Sequence, residues 1–241
     1  MLRLFVPSSQ ATGRRIRITG AQLRHLRTLR LDVGARLVVF DERGEEHDVR
    51  VEHLGARVAE AAVLATRRPA RESALDLTLA PALLKGAKMD LVVEKATELG
   101  VRRIAPVTSR HAVTTTGRTD RWQRIAVAAA KQSGRTQVPA VDAPRSLPEL
   151  VRHPWPGLRL LAWEAEPERA LAALPERATA VVVVVGPEGG LAAEEVDDAC
   201  AHGFVTFRLA PRILRAETAA VTAVALCQHR WGDLSSTEAV G

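Results

Sequence analysis

The sequence predicts an α/β domain with a mostly parallel sheet, preceded by a small β-rich domain. Three observations lead there. From residue 75 onward, strand-type and helix-type patterns alternate, as they do when strands are joined by crossover helices. LRLLAWE (158–164) and AVVVVVG (180–186) are almost continuously apolar, as strands covered on both faces must be. The first 66 residues instead carry several short alternating strands and a single helix, a pattern that suits a small barrel. The predicted boundaries are 1–68 and 74–235, with a polar, basic linker TRRPARES (66–73) around Pro69.

In the first part, LRLFV (2–6) and RRIRIT (14–19) alternate in the β manner. RLVVFDERGEEHDVRVEHLG (36–55) reads as a hairpin turning near Gly44, and RVAEAAVL (57–64) closes the set. Between them, GAQLRHLRTLRLDVG (20–34) places Leu23, Leu26 and Leu29 on one helical face with Arg24, Arg27 and Arg30 beside it.

The second part opens with a strand, LDLTLAPAL (75–83). KMDLVVEKATELG (88–100) follows as an amphipathic helix, Met89, Val92, Val93, Ala96 and Leu99 inward, stopped by Gly100. VRRIAPVTS (101–109) is a strand. TDRWQRIAVAAAKQSG (119–134) is a helix capped near Thr119, burying Trp122, Ile125 and Ala129 and ending at Gly134. After the two apolar strands come a helix AAEEVDDACAHG (192–203), a strand FVTFRLA (204–210) and a last helix TAAVTAVALCQHRW (218–231). TTTGRTD (114–120) reads as a flexible stretch that RNA orders, and a polar tail follows Gly232.

The chain has 241 residues, 46% hydrophobic but only 3% aromatic and without Tyr, so its core is aliphatic. Cys200 and Cys227 have no metal-ligand spacing and read as two buried thiols; no metal is expected. The start MLRLFVPSSQ lacks the apolar segment of a signal peptide, and no apolar run reaches the ~18 residues of a membrane span. The expectation is a cytoplasmic protein with no membrane contact. The net charge of +6 is unevenly spread: +5 over residues 1–72, +7 over 85–135 and −5 over 136–241. Basic surface of that kind is either a solvated face or the footprint of a polyanion, most commonly a phosphate backbone.

Ligands of open α/β sheets bind beyond the carboxyl ends of strands. Three strand ends are prepared for this: LLAWE (160–164), Gly186-Pro187-Glu188-Gly189-Gly190, and LAPRILRAETAA (209–220). The glycine spacing is not that of a dinucleotide fingerprint, and no GK[ST] is present for a P-loop. Open main chain beside apolar side chains suits a flat heterocycle such as adenine. Taken alone, GPEGG is also compatible with a bare strand-to-helix turn.

A series of stretches in order, RLFV, HLRTLRLDVG (25–34), KMDLVVEKATELGV (88–101), PVTSRHAV (106–113), RWQRIAVAAAKQSGRTQVP (121–139), GPEGGL (186–191) and RILRAETAA (212–220), resembles one family over nearly the whole chain. It is that of the 16S ribosomal RNA uridine-N3 methyltransferases, ribosomal RNA small subunit methyltransferase E, of the SPOUT superfamily. The resemblance implies a trefoil-knotted α/β domain behind a PUA-like barrel, S-adenosyl-L-methionine as methyl donor, a homodimer, and 16S rRNA of the small ribosomal subunit as partner. It places the donor on Trp163, Gly186, Pro187, Glu188, Gly189, Gly190, Leu209, Arg212, Ile213, Leu214 and Ala219. Uridine N3 must lose a proton, so Arg215 and Arg110 are candidate cations for the uracil oxygens, and Glu188 or Glu217 candidate acceptors. Each is equally a salt-bridge partner holding the loops. His25 and His111 are other possible bases. Arg24, Arg27, Arg30, Lys88, Arg121, Lys131 and Arg135 are candidate RNA contacts. Alternatives of other kinds are a knotted methyltransferase on tRNA and a non-catalytic RNA-binding assembly factor.

Overall fold

The computed structural model describes residues 2–112 and 118–234. The predicted flexible stretch therefore lies largely outside the described residues, as does most of the polar tail. Two compact units are present: residues up to Glu72 together with Ala130–Val138, and Ser73–Ala129 with the chain from Pro139 on.

The first unit contains β1 (Arg3–Phe5), β2 (Ala11–Thr12), β3 (Arg15–Ile18), α1 (Gly20–Thr28), β4 (Arg36–Phe40), β5 (Glu46–Leu54) and β6 (Ala59–Arg67). They form one six-stranded sheet, β1-β4-β5-β6-β3-β2, antiparallel except for the β1–β4 pair. Alternation decides which face is buried: Ile16 and Ile18 of β3, Val49 and Val51 of β5, and Ala59 and Ala61 of β6 pack on Leu23 and Leu26 of α1. Leu29 was expected beside them and is instead exposed, because α1 ends at Thr28 and Arg30 turns left-handed at φ 52°.

Two carboxylates, one fully buried and one partly buried, organise this unit. Glu46 is fully buried and bonds Arg3, with Arg67 Nε at 2.9 Å and Arg71 Nη1 at 3.3 Å. Arg3 and Arg71 also donate to the Gly134 carbonyl, each at 3.3 Å. Glu72 takes Arg135 Nη2 at 2.7 Å and the main-chain N–H groups of Thr136 (2.8 Å) and Gln137 (3.0 Å). Two acidic side chains thus hold the segment Ala130–Val138 in place.

The second unit contains β7 (Asp76–Pro81), α2 (Ala87–Glu98), β8 (Arg103–Ile104), β9 (Val107–Thr108), α3 (Thr119–Ser133, its last turn in the first unit), β10 (Ala140–Val141), β11 (Arg145–Ser146), α4 (Leu147–Val151), β12 (Leu158–Ala162), β13 (Ala180–Val185), α5 (Ala193–Ala201), β14 (Val205–Phe207) and α6 (Ala216–Trp231). Six strands form an all-parallel sheet, β10-β8-β7-β13-β12-β14. The chain returns from β12 to insert β13 between β7 and β12, then crosses to add β14 on the far side. On one face Ala80, Leu161, Val182 and Val184 pack against α4, α5 and Trp155. Gly100 stops α2 at φ 86°, which favours glycine, and a Cβ there would crowd the Gln228 amide of α6 at 2.8 Å.

Several sequence expectations are corrected. The single strand at 101–109 is two short ones in different sheets, β8 beside β7 and β9 beside β11, separated at Ala105-Pro106, where proline has no N–H for a ladder. In α3 the buried side chains are Trp122, Ala126, Ala129 and Ala130, while Ile125 is half-buried, since the stripe follows i, i+4 from Trp122. Leu99 is half-buried at the α2 C-terminus. α6 begins at Ala216 instead of residue 218, and β10, β11 and α4 were not anticipated; α4 carries a full capping box, Ser146 with Glu149. Cys227 is buried as expected, but Cys200, on the outer face of α5, is exposed. Among the described residues, no helix is long and apolar enough to cross a membrane.

Two predictions follow from this packing. Burial alone would raise the Glu46 carboxyl, but hydrogen bonds from Arg3 and Arg67 outweigh it and hold the group below the usual range. A depressed folded value gives stability that is full above the unfolded value of ~4.3 and lost as pH falls through the folded value. Replacing Glu46→Gln should therefore cost on the order of 3 kcal/mol at pH 7, with the gap to the parent protein closing below pH ~4 in urea titrations. Burial pushes the Cys227 thiol up to about 12, so at pH 7.5 a maleimide should label one thiol in the folded protein, at Cys200, and two in denaturant.

Candidate functional site

The three strand ends singled out in the sequence are adjacent in the sheet, because β12 lies between β13 and β14. Ala162 is in register with both Val185 and Phe207, so the three strands stop level with one another. The chain beyond each starts at the same height, and Trp163 N–H donates to the Phe207 carbonyl at 3.0 Å. The loops after β12, β13 and β14 enclose a cleft at this carboxyl edge.

The glycine loop is a tight turn closed by Gly190 N–H to the Pro187 carbonyl at 3.0 Å. Gly190 has φ 71°, a conformation that disfavours any side chain, and a Cβ there would also push against Glu164 Oε1 at 2.5 Å, the movable end of an exposed side chain. Leu191 then turns inward and anchors the loop in the core. The opposite wall is the irregular segment before α6. Arg212 and Ile213 stand exposed, Ile213 to 85%, and Arg215 occupies the N-cap of α6.

Of the sequence-predicted donor residues, Trp163, Gly186, Pro187, Glu188, Gly190, Leu209, Arg212, Ile213, Leu214 and Ala219 line this cleft. Gly189 does not; it faces His111, whose Cβ would be 3.0 Å from a Cβ at 189. Ala162, Glu164, Val185, Arg208, Ala210 and Ala216 also line it and were not named in advance. Glu164 closes the LLAWE stretch already marked as a strand end; what could not be seen was that Gly190 approaches it.

Charged groups gather at one side. Lys88 Nζ bonds Glu188 Oε1 at 2.7 Å and lies 3.9 Å from Glu217 Oε2. Burial works against the Glu188 carboxylate, but the Lys88 hydrogen bond prevails and keeps it below the usual range; the same bond raises Lys88. Glu217 Oε2 is buried and makes no hydrogen bond, so it keeps an open acceptor. Arg110 is elsewhere engaged: its Nη1 meets Glu194 at 3.1 Å, and its main-chain N–H donates to Glu195 at 2.8 Å. Glu195 also accepts the Ala192 N–H at 3.0 Å, tying the 109–111 segment to the start of α5.

The candidate RNA contacts separate by environment. Arg24 and Arg27 are exposed on α1, Arg27 also donating to the Gly55 carbonyl at 2.6 Å. Arg30 is exposed but past the helix end, so the expected three-residue edge holds only two helical members. Lys88 is paired with Glu188, and Arg121 makes a two-pronged bond to Asp90, Nη2 at 2.7 Å. Lys131 is half-buried, which lowers its pKa. Arg135 is 4% exposed and committed to Glu72, which removes it from the surface an RNA contact needs. His25 is half-buried on α1.

Comparison with known proteins agrees with this geometry. The RNA methyltransferase domain family matches residues 71–228, and the RNA methyltransferase PUA domain family matches residues 18–63. The ribosomal RNA small subunit methyltransferase E of Synechocystis is 33% identical over 92% of this chain and 76% of its own. That of Mycobacterium bovis is 31% identical over 97% and 94%. The crystal structure of a ribosomal RNA small subunit methyltransferase E from Neisseria gonorrhoeae, bound to S-adenosyl methionine, is 33% identical and superposes with a TM-score of 0.90 over 97% of this chain and 99% of that one. An N-terminal PUA domain precedes a parallel-sheet domain of the SPOUT type, and the chain belongs to the ribosomal RNA small subunit methyltransferase E family of RNA methyltransferases.

Proposed function

We propose that this chain transfers a methyl group from S-adenosylmethionine to N3 of one uridine in the 16S RNA of the small ribosomal subunit. In this reading residues 74–235 form the knotted, homodimeric transfer domain, and residues 1–68 help to hold the RNA. The observation that carries it is the convergence of Trp163, Gly186 and the Leu209–Leu214 loop on one cleft at the sheet's carboxyl edge, in a chain of a small-subunit RNA methyltransferase family.

The residues fit the donor. Ala162, Val185, Ala216 and Ala219 line the cleft with small apolar groups, which suits a flat purine. The main chain at Gly186 and Gly190 is open to approach, and Glu164 would meet the polar ribose or the donor's positive charge. Bound there, the donor supplies an electrophilic methyl carbon.

The chain's own residues must then prepare the uridine. N3 lies on the Watson–Crick edge, so the base has to leave any pair before it can enter. Glu217 offers the proton acceptor, through the buried oxygen that makes no hydrogen bond. Glu188 suits that role less, since Lys88 already occupies it. Exposed Arg215, two residues before Glu217 at the N-cap of α6, would stabilise the charge that develops on the uracil oxygens. Arg110 is drawn off by Glu194. Arg24 and Arg27 would meet phosphates, so RNA affinity should fall steeply with salt.

The test is methyl transfer from radiolabelled donor to small subunits, 16S rRNA and tRNA from a strain lacking this gene, with mass spectrometry of the labelled nucleoside. The expected product is 3-methyluridine in subunit RNA. Label in tRNA would move the target, and absence of donor binding would favour a non-catalytic assembly role. Replacing Glu217→Gln should lower kcat about a hundredfold while donor affinity by calorimetry stays within about threefold; an unchanged kcat would remove Glu217 from proton transfer.

A further inference from the structure

The parallel sheet carries a second recess, at the amino ends of its strands, opposite to the edge that holds the donor cleft. Asp76, Thr78 and Ala80 share one face of β7. Ala80 is sealed by Val182, Val184, Trp155 and the helices above them. Nearer the amino end, the same face opens on a cleft of about 400 Å³ whose lining includes Asp76, Thr78, Arg102, Arg103, Arg145 and Trp155.

Thr78 supplies the first polar group. It lines the recess and is only 6% exposed, and among the described residues its hydroxyl is not engaged in a hydrogen bond, so it is open to whatever enters the recess. It sits between Arg103 and Val182 in the strand register.

The guanidinium groups are the second. Arg102 Nη2 donates to the Ser73 carbonyl at 3.1 Å, a neutral acceptor that leaves its charge uncompensated. Arg103 and Arg145 share one carboxylate, that of Asp142, at 2.9 and 3.1 Å. Three cations thus face two carboxylates, Asp142 and Asp76, and the balance is positive. The indole of Trp155 is fixed by its Nε1–H to the Leu150 carbonyl at 2.9 Å and by the His153 ring at 4.6 Å. It forms a flat apolar wall beside the charged one.

A hydroxyl donor, planar forks with spare donors and an aromatic wall together match a phosphate carried on a nucleotide. We propose that this recess binds such a phosphate, gripped by Arg102 and Arg145 and by the Thr78 hydroxyl. The phosphate can come from an RNA backbone or from a free phosphorylated metabolite. The proposal does not rest on methyl transfer.

The test is calorimetric titration of the full chain with inorganic phosphate and, separately, with a short oligouridylate. One phosphate should bind per chain. Arg102→Gln with Arg145→Gln should weaken it tenfold or more, and Thr78→Val severalfold. If the source is RNA, the oligonucleotide should compete with phosphate, and the double variant should lower its salt slope by about two. If oligonucleotide binding ignores the variant while phosphate binding does not, the site takes a small phosphorylated molecule. Should the double variant melt early, Arg102→Gln alone, which leaves both Asp142 pairs intact, carries the comparison. Phosphate that fails to bind, or binds the variants as it binds the parent, overturns the proposal. None of these outcomes bears on the donor cleft, since methyl transfer is not measured.

Discussion

Both faces of β13 are sealed, and the rest of the second unit follows from that. Val181 through Val185 are each no more than 3% exposed, so helices must cover the sheet above and below. A strand with no free face cannot offer a ligand its side. It can meet one only at an end, and the carboxyl end is where β12, β13 and β14 stop in register. The same constraint demands glycine beyond Val185. The chain must leave a crowded edge, turn within four residues and bring Leu191 back into the core, and it does so through Gly190 at φ 71°.

Charge follows a comparable economy in the first unit. The segment around residue 130 looks like free basic surface in the sequence, yet burial divides it into two populations. Arg135 is consumed inside the fold by Glu72, whose carboxylate also receives the N–H groups of Thr136 and Gln137. Glu46 draws Arg3, Arg67 and Arg71 to one point. Arg24 and Arg27 keep their solvent face because α1 buries only Leu23 and Leu26. A like charge count therefore conceals two environments, of which only the exposed one is accessible to a polyanion. Among the described residues, Asp41, Glu45 and His47 form the one group with metal-ligand proximity, but each has another task. Asp41 closes its turn by accepting the Arg43 and Glu45 N–H groups, Glu45 holds Arg68, and His47 meets Thr66.

The cleft at the carboxyl edge was largely legible in advance because its residues follow apolar strands whose direction and ends are plain in the sequence. Val181–Val185 announces a strand, and Gly186-Pro187 its end; the same holds for Leu158–Ala162 and Val205–Phe207. Glu164 was not legible, because its place depends on Gly190, a residue 26 positions away brought close by the pairing of β12 with β13. The partners of Lys88 were hidden for a related reason. On its helix it looks like a solvent cation, and only the fold lays it across from Glu188 and Glu217. The splitting of residues 101–109 into β8 and β9 was hidden as well, since the sheet each half joins is set by β10 and β11, whose two-residue length carries no pattern.

What the sequence determined by itself was periodic or ordered: the alternation of elements, the two-sided burial of β12 and β13, the glycine stops after α2 and α3, and the series of stretches that points to the family. These are local signals, fixed by which side chains must leave water and where the backbone can turn. The tertiary structure alone decided which strand ends stand side by side, which arginines are spent on buried carboxylates, that Cys200 faces solvent, and that Thr78 and three arginines share a recess at the far edge of the sheet. Those outcomes rest on contacts between residues tens of positions apart. A side chain's charge and polarity are written in the sequence, but its partner is chosen by the packing of the apolar strands around it.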